Sequence, residues 1–408
     1  MSTSASVTIG IAFAALAACG GCRGEDAPAR PLAAASSAPA VTISNSKRTT
    51  RADLAVANLD GRIARGEKLA QAGADPGARA ALLSSLLERA SHLGKVSDLD
   101  RALALEAEMA RGNTTDPSVL LARASAFAAV HEFERAYALI SEAEAKQADT
   151  TQVRSKRAAV QLARGDYEEA CASFHQLSNL PKNHGYLLME GVCVAQLGRI
   201  EEADRLLADA EAAYHDVSPF VLASIYFERG SLWERAGEED KAKAYYRAAL
   251  DRLPAHAHAA SHLAQLVPEE AEAILAPVLS VSDDPEVKAV LGLAREKVSP
   301  GEGKALFAQA KLAYEALLEK HPRAFADHAG WFYLRALEDP ARAVEVAQMN
   351  LDNRRTHEAY EPAITALTAA GSATRACETA NHALARAWVP STLRRAADAA
   401  FAACGRTK

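Results

Sequence analysis

Three closely spaced histidines, His256, His258 and His262, are the densest set of metal-ligand side chains in the sequence. His258 and His262 stand at i and i+4, so on a helix they share a face and have the reach to chelate a divalent ion. The intervening residues are Ala259, Ala260 and Ser261, with no glutamate to serve as the base of a zinc peptidase, so the trio reads as surface histidines and no metal is expected. Gly301-x-Gly303-Lys304 carries a fragment of a phosphate-binding loop. It follows no expected strand and lacks the rest of that loop, so it reads as a turn between helices. Cys19-x-x-Cys22 has dithiol spacing without the surrounding elements that redox chemistry uses. None of these patterns amounts to a catalytic constellation, so no enzyme activity and no cofactor are expected.

The other cysteines fall as Cys171 with Cys193 and Cys377 with Cys404. Cys171 follows Ala170 and Cys377 follows Ala376, which places both in one slot of a second helix. Each has a partner at a mirrored distance across the next turn. Two disulfides are one reading, and four buried thiols acting as small hydrophobes are the other.

The elements that position these side chains are helical. The chain is 49% hydrophobic but only 6% aromatic, its alanine-rich runs favour helix, and no sustained two-residue alternation suggests a sheet. Ala102, Ala136 and Ala170 recur every 34 residues, and Ala90, Ala124 and Ala158 precede them in register. Small residues at such positions let two helices approach closely. Tyr226-x-x-Arg229-Gly230-x-x-Trp233, with Ala242, Tyr246, Ala249, Leu250 and Pro254, repeats the same arrangement with aromatics filling the gaps.

These residues resemble the tetratricopeptide repeat. The resemblance implies an all-α solenoid of helix-turn-helix units wound into a right-handed superhelix, with about eight units over residues 83–389. A shortened unit is expected where Val267-Pro268-Glu269 truncates a first helix. Residues 51–82 read as an N-terminal helix or helices and residues 390–408 as a capping helix. In tetratricopeptide proteins the first helices line a concave groove that holds a protein or peptide partner. By register the lining here is Leu121 and Ser125, Ser155 and Ala159, Leu188 and Val192, and Phe227 and Ser231. That lining is mildly apolar and suits an amphipathic or extended segment. The other reading is that the same residues pack the solenoid against itself.

At the N-terminus, Val7 to Ala18 is too short to span a bilayer and leads into Leu16-Ala17-Ala18-Cys19. This resembles a bacterial lipobox, which implies removal of residues 1–18, lipidation of Cys19 and attachment to the cell envelope, with the outer membrane favoured by Gly20. Met1 to Gly10 has no lysine or arginine, so a soluble cytosolic adaptor remains the alternative. Residues 19–50, rich in Pro, Ala and Ser, read as a disordered tether. Ahead of the repeats, Lys47-Arg48-Thr49-Thr50-Arg51 reads as a solvated linker or as a contact for anionic headgroups. Forty-six basic and fifty-two acidic residues leave a net charge of −6 with no basic stripe, so nucleic acid is not an expected partner. The functional expectation is a non-catalytic interaction scaffold.

Overall fold

The computed structural model describes residues 43, 47–73, 75–112, 115–181 and 184–405; Cys19 and Cys22 lie outside them. Among the described residues are twenty α-helices, one short 3-10 turn and no strand. A leading helix α1 (Ala52–Gln71) is followed by nine antiparallel hairpins. They are α2/α3 (Pro76–Leu93, Ser97–Arg111), α4/α5 (Pro117–Ala129, Phe133–Ala145), α6/α7 (Thr150–Arg164, Tyr167–Ser178), α8/α9 (His184–Gln196, Ile200–Ala213), α10/α11 (Pro219–Arg235, Glu239–Arg252), α12/α13 (Ala257–Leu266, Ala271–Leu279), α14/α15 (Pro285–Val298, Lys304–Lys320), α16/α17 (Pro322–Arg335, Pro340–Asn353) and α18/α19 (His357–Ala369, Ala373–Leu384). Helix α20 (Ser391–Ala403) closes the array.

Local chemistry sets the helix starts. Asp75, Asp116, Asp284 and Asp339 each precede a proline, and each carboxylate accepts a backbone N–H of the first turn. The Asp75-Pro76 pair starts the first hairpin seven residues before residue 83, so α2 is a full-length first helix. The small-residue lattice lies in the contacts between helices. Ala102, Ala136, Ala158 and Ala170 are all fully buried. A Cβ added at Gly230 would lie 2.5 Å from the Tyr246 ring, so α10 and α11 meet there at the closest approach a side chain permits. The expected short unit is present: α12 ends before the 3-10 turn Pro268–Glu270, and α13 is only nine residues long.

Helix α1 lies on α2 through Leu59 and Ile63, both nearly fully buried. At about 1.5–3 kcal/mol for each such side chain, this contact is large enough to hold α1 on the first hairpin. At the other end Leu393, Ala397 and Ala400 of α20 cover Tyr360, Ile364, Ala376 and Ala380. Cys377 and Cys404 are joined in a disulfide that ties α19 to the end of this cap, and Cys171 and Cys193 join α7 to α8.

The superhelix closes on itself. One apolar cluster combines Leu82, Leu86 and Leu105 of the first hairpin with Phe220, Ala223 and Leu253 of the fifth. Further along, the turn after α2 meets the segment before α14, where the Ser282 hydroxyl and the Asp283 amide both donate to the Gly94 carbonyl. The turn after α6 meets the start of α18: Arg355 N–H donates to the Arg164 carbonyl at 2.9 Å and Arg386 donates to the Gly165 carbonyl at 2.9 Å. Lys320 and His321 reach Asp100 of α3 at 2.8 and 2.6 Å. Successive coils therefore touch along a continuous seam.

The basic segment before α1 is docked. Lys47 Nζ donates to the Ala212 and Tyr214 carbonyls, Arg252 donates to the Lys47 carbonyl, and Thr50 N–H donates to the Val217 carbonyl. Residues 47–50 thus differ from a solvated linker, because the junction of α9 with α10 and the end of α11 supply partners for their polar groups.

Candidate functional site

The side chains that meet inside the closed superhelix come from helices far apart in sequence. His256 is buried at the N-cap of α12, where its Nδ1 accepts the Ala259 N–H, and its ring stacks on Phe227 of α10 at 5.3 Å. His262 lies one turn past His258 and is 1% exposed; its Nδ1 sits 2.7 Å from Glu234, which also accepts the Tyr246 hydroxyl at 2.6 Å. His258 faces the His328 ring of α16 at 6.4 Å. His328 pairs through Nδ1 with Glu286 of α14 at 2.9 Å, while Asp327 beside it accepts the guanidinium of Arg354. The histidine trio is therefore interior, which corrects the expectation of surface histidines. Its members point to separate partners, and among the described residues no cluster is arranged to hold a metal ion.

Burial and pairing divide these groups by charge. Burial pushes His258 down to about 4 despite the pull of Glu286. Burial also opposes charge on His328, but Glu286 and Asp327 outweigh it and hold the imidazole protonated well above its ordinary range. Burial would raise Glu286, yet His328 keeps it low. Asp284, the N-cap of α14, is pushed up by burial and by the neighbouring Glu286 charge. Elsewhere on the first helices, burial brings the partly buried Lys156 down to about 8 and the partly buried Glu228 up to about 7. Arg235 of α10 meets Glu358 of α18 at 3.7 Å across the coils.

A cavity of about 80 Å³ opens beside His258 and His328. One side is apolar and comes mainly from α2 and α3, including Leu87 and Leu99; the other carries Asp284, Asp327 and Phe325. Neither side exists without the other, because the first hairpins and the sixth to eighth each supply part of the wall.

The eight residues expected to line an open groove have different fates. Leu121, Ser125, Leu188, Val192, Phe227 and Ser231 are buried, so they do not form an open lining. The physical reason is side-to-side packing: Leu121 belongs to the core shared by α4 to α6, while Leu188, Val192 and Phe227 belong to the core running from α6 to α12. Ser125 donates to the Leu121 carbonyl. Only Ser155 and Ala159 keep partial solvent access. They share a stripe of α6 with Gln152 and Ala163, between the arc of Val153 and Val160 and that of Ala158 and Leu162, which are buried.

The glycine-rich loop is a turn, as its context suggests. Glu296 accepts the Gly301 and Gly303 amides at 2.7 and 2.9 Å, so a carboxylate of the same chain occupies the position where a phosphate would sit. Sequence reasoning missed Asp284, Glu286, Asp327, His328 and Arg354. The one local signal was the Asp284-Pro285 pair, which marks a helix start; the meeting of the other four depends on coil closure.

The 34-residue spacing and the nine stacked hairpins define a tetratricopeptide-type helical solenoid. Solved structures similar to it include a tetratricopeptide repeat protein from Parabacteroides merdae, at 16% identity over 62% of this chain and 98% of that one with a TM-score of 0.36. Others are the APC/C hetero-tetramer Cut9-Hcn1, at 17% identity over 79% and 63% with a TM-score of 0.43, and the human IFIT1 dimer with PPP-AAAA, at 15% over 88% and 87% with a TM-score of 0.45. This chain thus spans less than two thirds of the Cut9-Hcn1 chain. These likenesses are of fold. No protein-family model and no curated protein sequence matches the chain.

Proposed function

We propose that the protein is a non-catalytic scaffold that holds a protein segment against the partly exposed stripe of α6. The observation that carries this reading is a stripe of α6 on which Gln152 is exposed and Ser155, Ala159 and Ala163 keep partial access between packed neighbours. Small side chains along the stripe let a partner backbone approach. A photo-crosslinker replacing Ala159 in cells is expected to yield a defined protein adduct, whereas one replacing Leu312, 76% exposed on α15, is not. Equal adducts at both positions would count against the stripe, and an RNA adduct at residue 159 would replace the protein reading.

We further propose attachment to the bacterial envelope through Cys19, supported by the lipobox-like Leu16-Ala17-Ala18-Cys19. Among the described residues no helix is long and apolar enough to cross a membrane. Labelled palmitate is expected to enter the wild-type chain and not Cys19→Ala. Label in neither, with the protein in the cytosolic fraction, would favour a soluble adaptor.

A further inference from the structure

We propose that the cavity between the first hairpins and the sixth to eighth binds a small organic cation, a primary ammonium with a short alkyl tail, and that this ligand fastens the two coils together. The proposal is independent of the α6 reading.

The first argument is hydrogen-bond polarity. His131 lines the cavity and is 1% exposed. Its Nδ1 lies 2.9 Å from the Arg323 carbonyl, and a carbonyl can only accept, so Nδ1 carries the proton. Nε2 is then an acceptor, and it is buried without a partner. Leaving such a group unsatisfied is costly, and a donor arriving in the cavity removes that cost. Asp284 and Asp327 add carboxylates to the same lining. His258 and His328 share this lining, and beside them the orphaned His131 Nε2 and the two carboxylates favour a ligand that donates.

The second argument is charge. Asp284 and Asp327 line the cavity, a third carboxylate, Glu286, is paired to the lining residue His328, and Asp283 beside Asp284 is offset by its ion pair with Lys95. The cations facing them are the His328 imidazolium and the Arg354 guanidinium, which bonds Asp327. Burial keeps His131 and His258 neutral at ordinary pH, both near 4. Three carboxylates against two cations leave room for one further positive charge when Asp284 is ionised. Asp284 is pushed up by its surroundings, so an arriving cation displaces its proton.

The third argument is shape. Across from Asp284 and Asp327 stand Leu87 and Leu99, and Phe325 adds an apolar ring on the later coil, a surface for a few methylenes. Because Leu87 and Leu99 belong to the first hairpin and Asp284 and Phe325 to the later coil, a molecule touching both sides favours the closed superhelix by linkage.

The test is isothermal titration of the full chain with n-propylammonium chloride, with 1-propanol and propionate as matched controls. The ammonium is expected to bind at least about tenfold more tightly than either control. Repeating the titration near neutral pH in buffers of different ionisation enthalpy is expected to show proton release. Asp284→Asn keeps an equally good N-cap, so the fold is retained, and it is expected to weaken ammonium binding by about tenfold and to abolish the proton release. Leu99→Trp fills the tail space and is expected to remove binding, with circular dichroism checking the fold. No saturable heat with propylammonium, equal binding of the three probes, or ammonium binding unchanged in Asp284→Asn would each overturn the proposal.

Discussion

The seam between coils can be weighed by a pair of alanine substitutions at glycines with the same backbone conformation. Gly165 and Gly237 both follow a first helix, with φ of +95° and +82°. A left-handed conformation costs alanine about 1–2 kcal/mol at either position. Their surroundings differ. A Cβ at Gly237 meets nothing within 4 Å, whereas one at Gly165 would lie 2.4 Å from the Arg355 carbonyl oxygen, a backbone atom of the next coil. Relief requires moving that connecting segment by roughly 1 Å, since ordinary contact begins near 3.4 Å. The movement strains two cross-coil bonds, Arg355 N–H to the Arg164 carbonyl and the charged donation from Arg386 to the Gly165 carbonyl. With about 1 kcal/mol for the neutral bond and about 1.5–3 for the charged one, Gly165→Ala should lose about 2–4 kcal/mol more than Gly237→Ala. Urea denaturation followed by circular dichroism supplies the difference, and small-angle scattering shows whether the coils part. Equal losses in the two variants, with unchanged scattering, would refute the claim that the seam stabilises the fold.

Acid should weaken the closed form before it protonates the paired carboxylates. Burial lowers His131 to about 4 from its ordinary 6.5, so the unfolded chain binds more protons between those values and stability falls as pH drops through that window. The loss from this residue approaches about 3 kcal/mol, and His131→Leu should flatten the slope in pH-dependent urea melts. Asp327 behaves separately: His328 and Arg354 overcome the effect of burial and hold it at about 2, so its contribution persists until more acidic pH. Each disulfide closes a loop, of 22 and 27 residues, and the chain-entropy model gives about 3.5 kcal/mol for either. Reduction should therefore release α20 first, because this terminal helix has neighbours on one side only; hydrogen exchange across 391–403 would rise ahead of the core, and simultaneous exchange everywhere would contradict this.

Much of the fold was legible because a solenoid repeats its nearest-neighbour contacts. Ala102, Ala136 and Ala170 mark one recurring packing event, and Pro268 marks the place where the event is cut short. The start of α2 was also written locally, in Asp75-Pro76, although the periodic signal begins only at Leu83. Closure was not legible. Arg355 bonding Arg164, or His328 facing His258, joins residues separated by many helices, and no short-range period records such a meeting. The groove residues failed for a related reason: register identifies the first helix, but six of the eight positions face neighbouring helices, and only Ser155 and Ala159 retain solvent access.

The docked segment at residues 47–50 has a mechanical consequence. A force drawn along the chain from residues before 47 would not be delivered to α1 at the end of the array. Lys47 and Thr50 grip carbonyls between α9 and α10, so the tension enters amidships, at the fourth and fifth hairpins. A body suspended from that point is loaded near its middle, and the seam between coils passes the load on toward both ends.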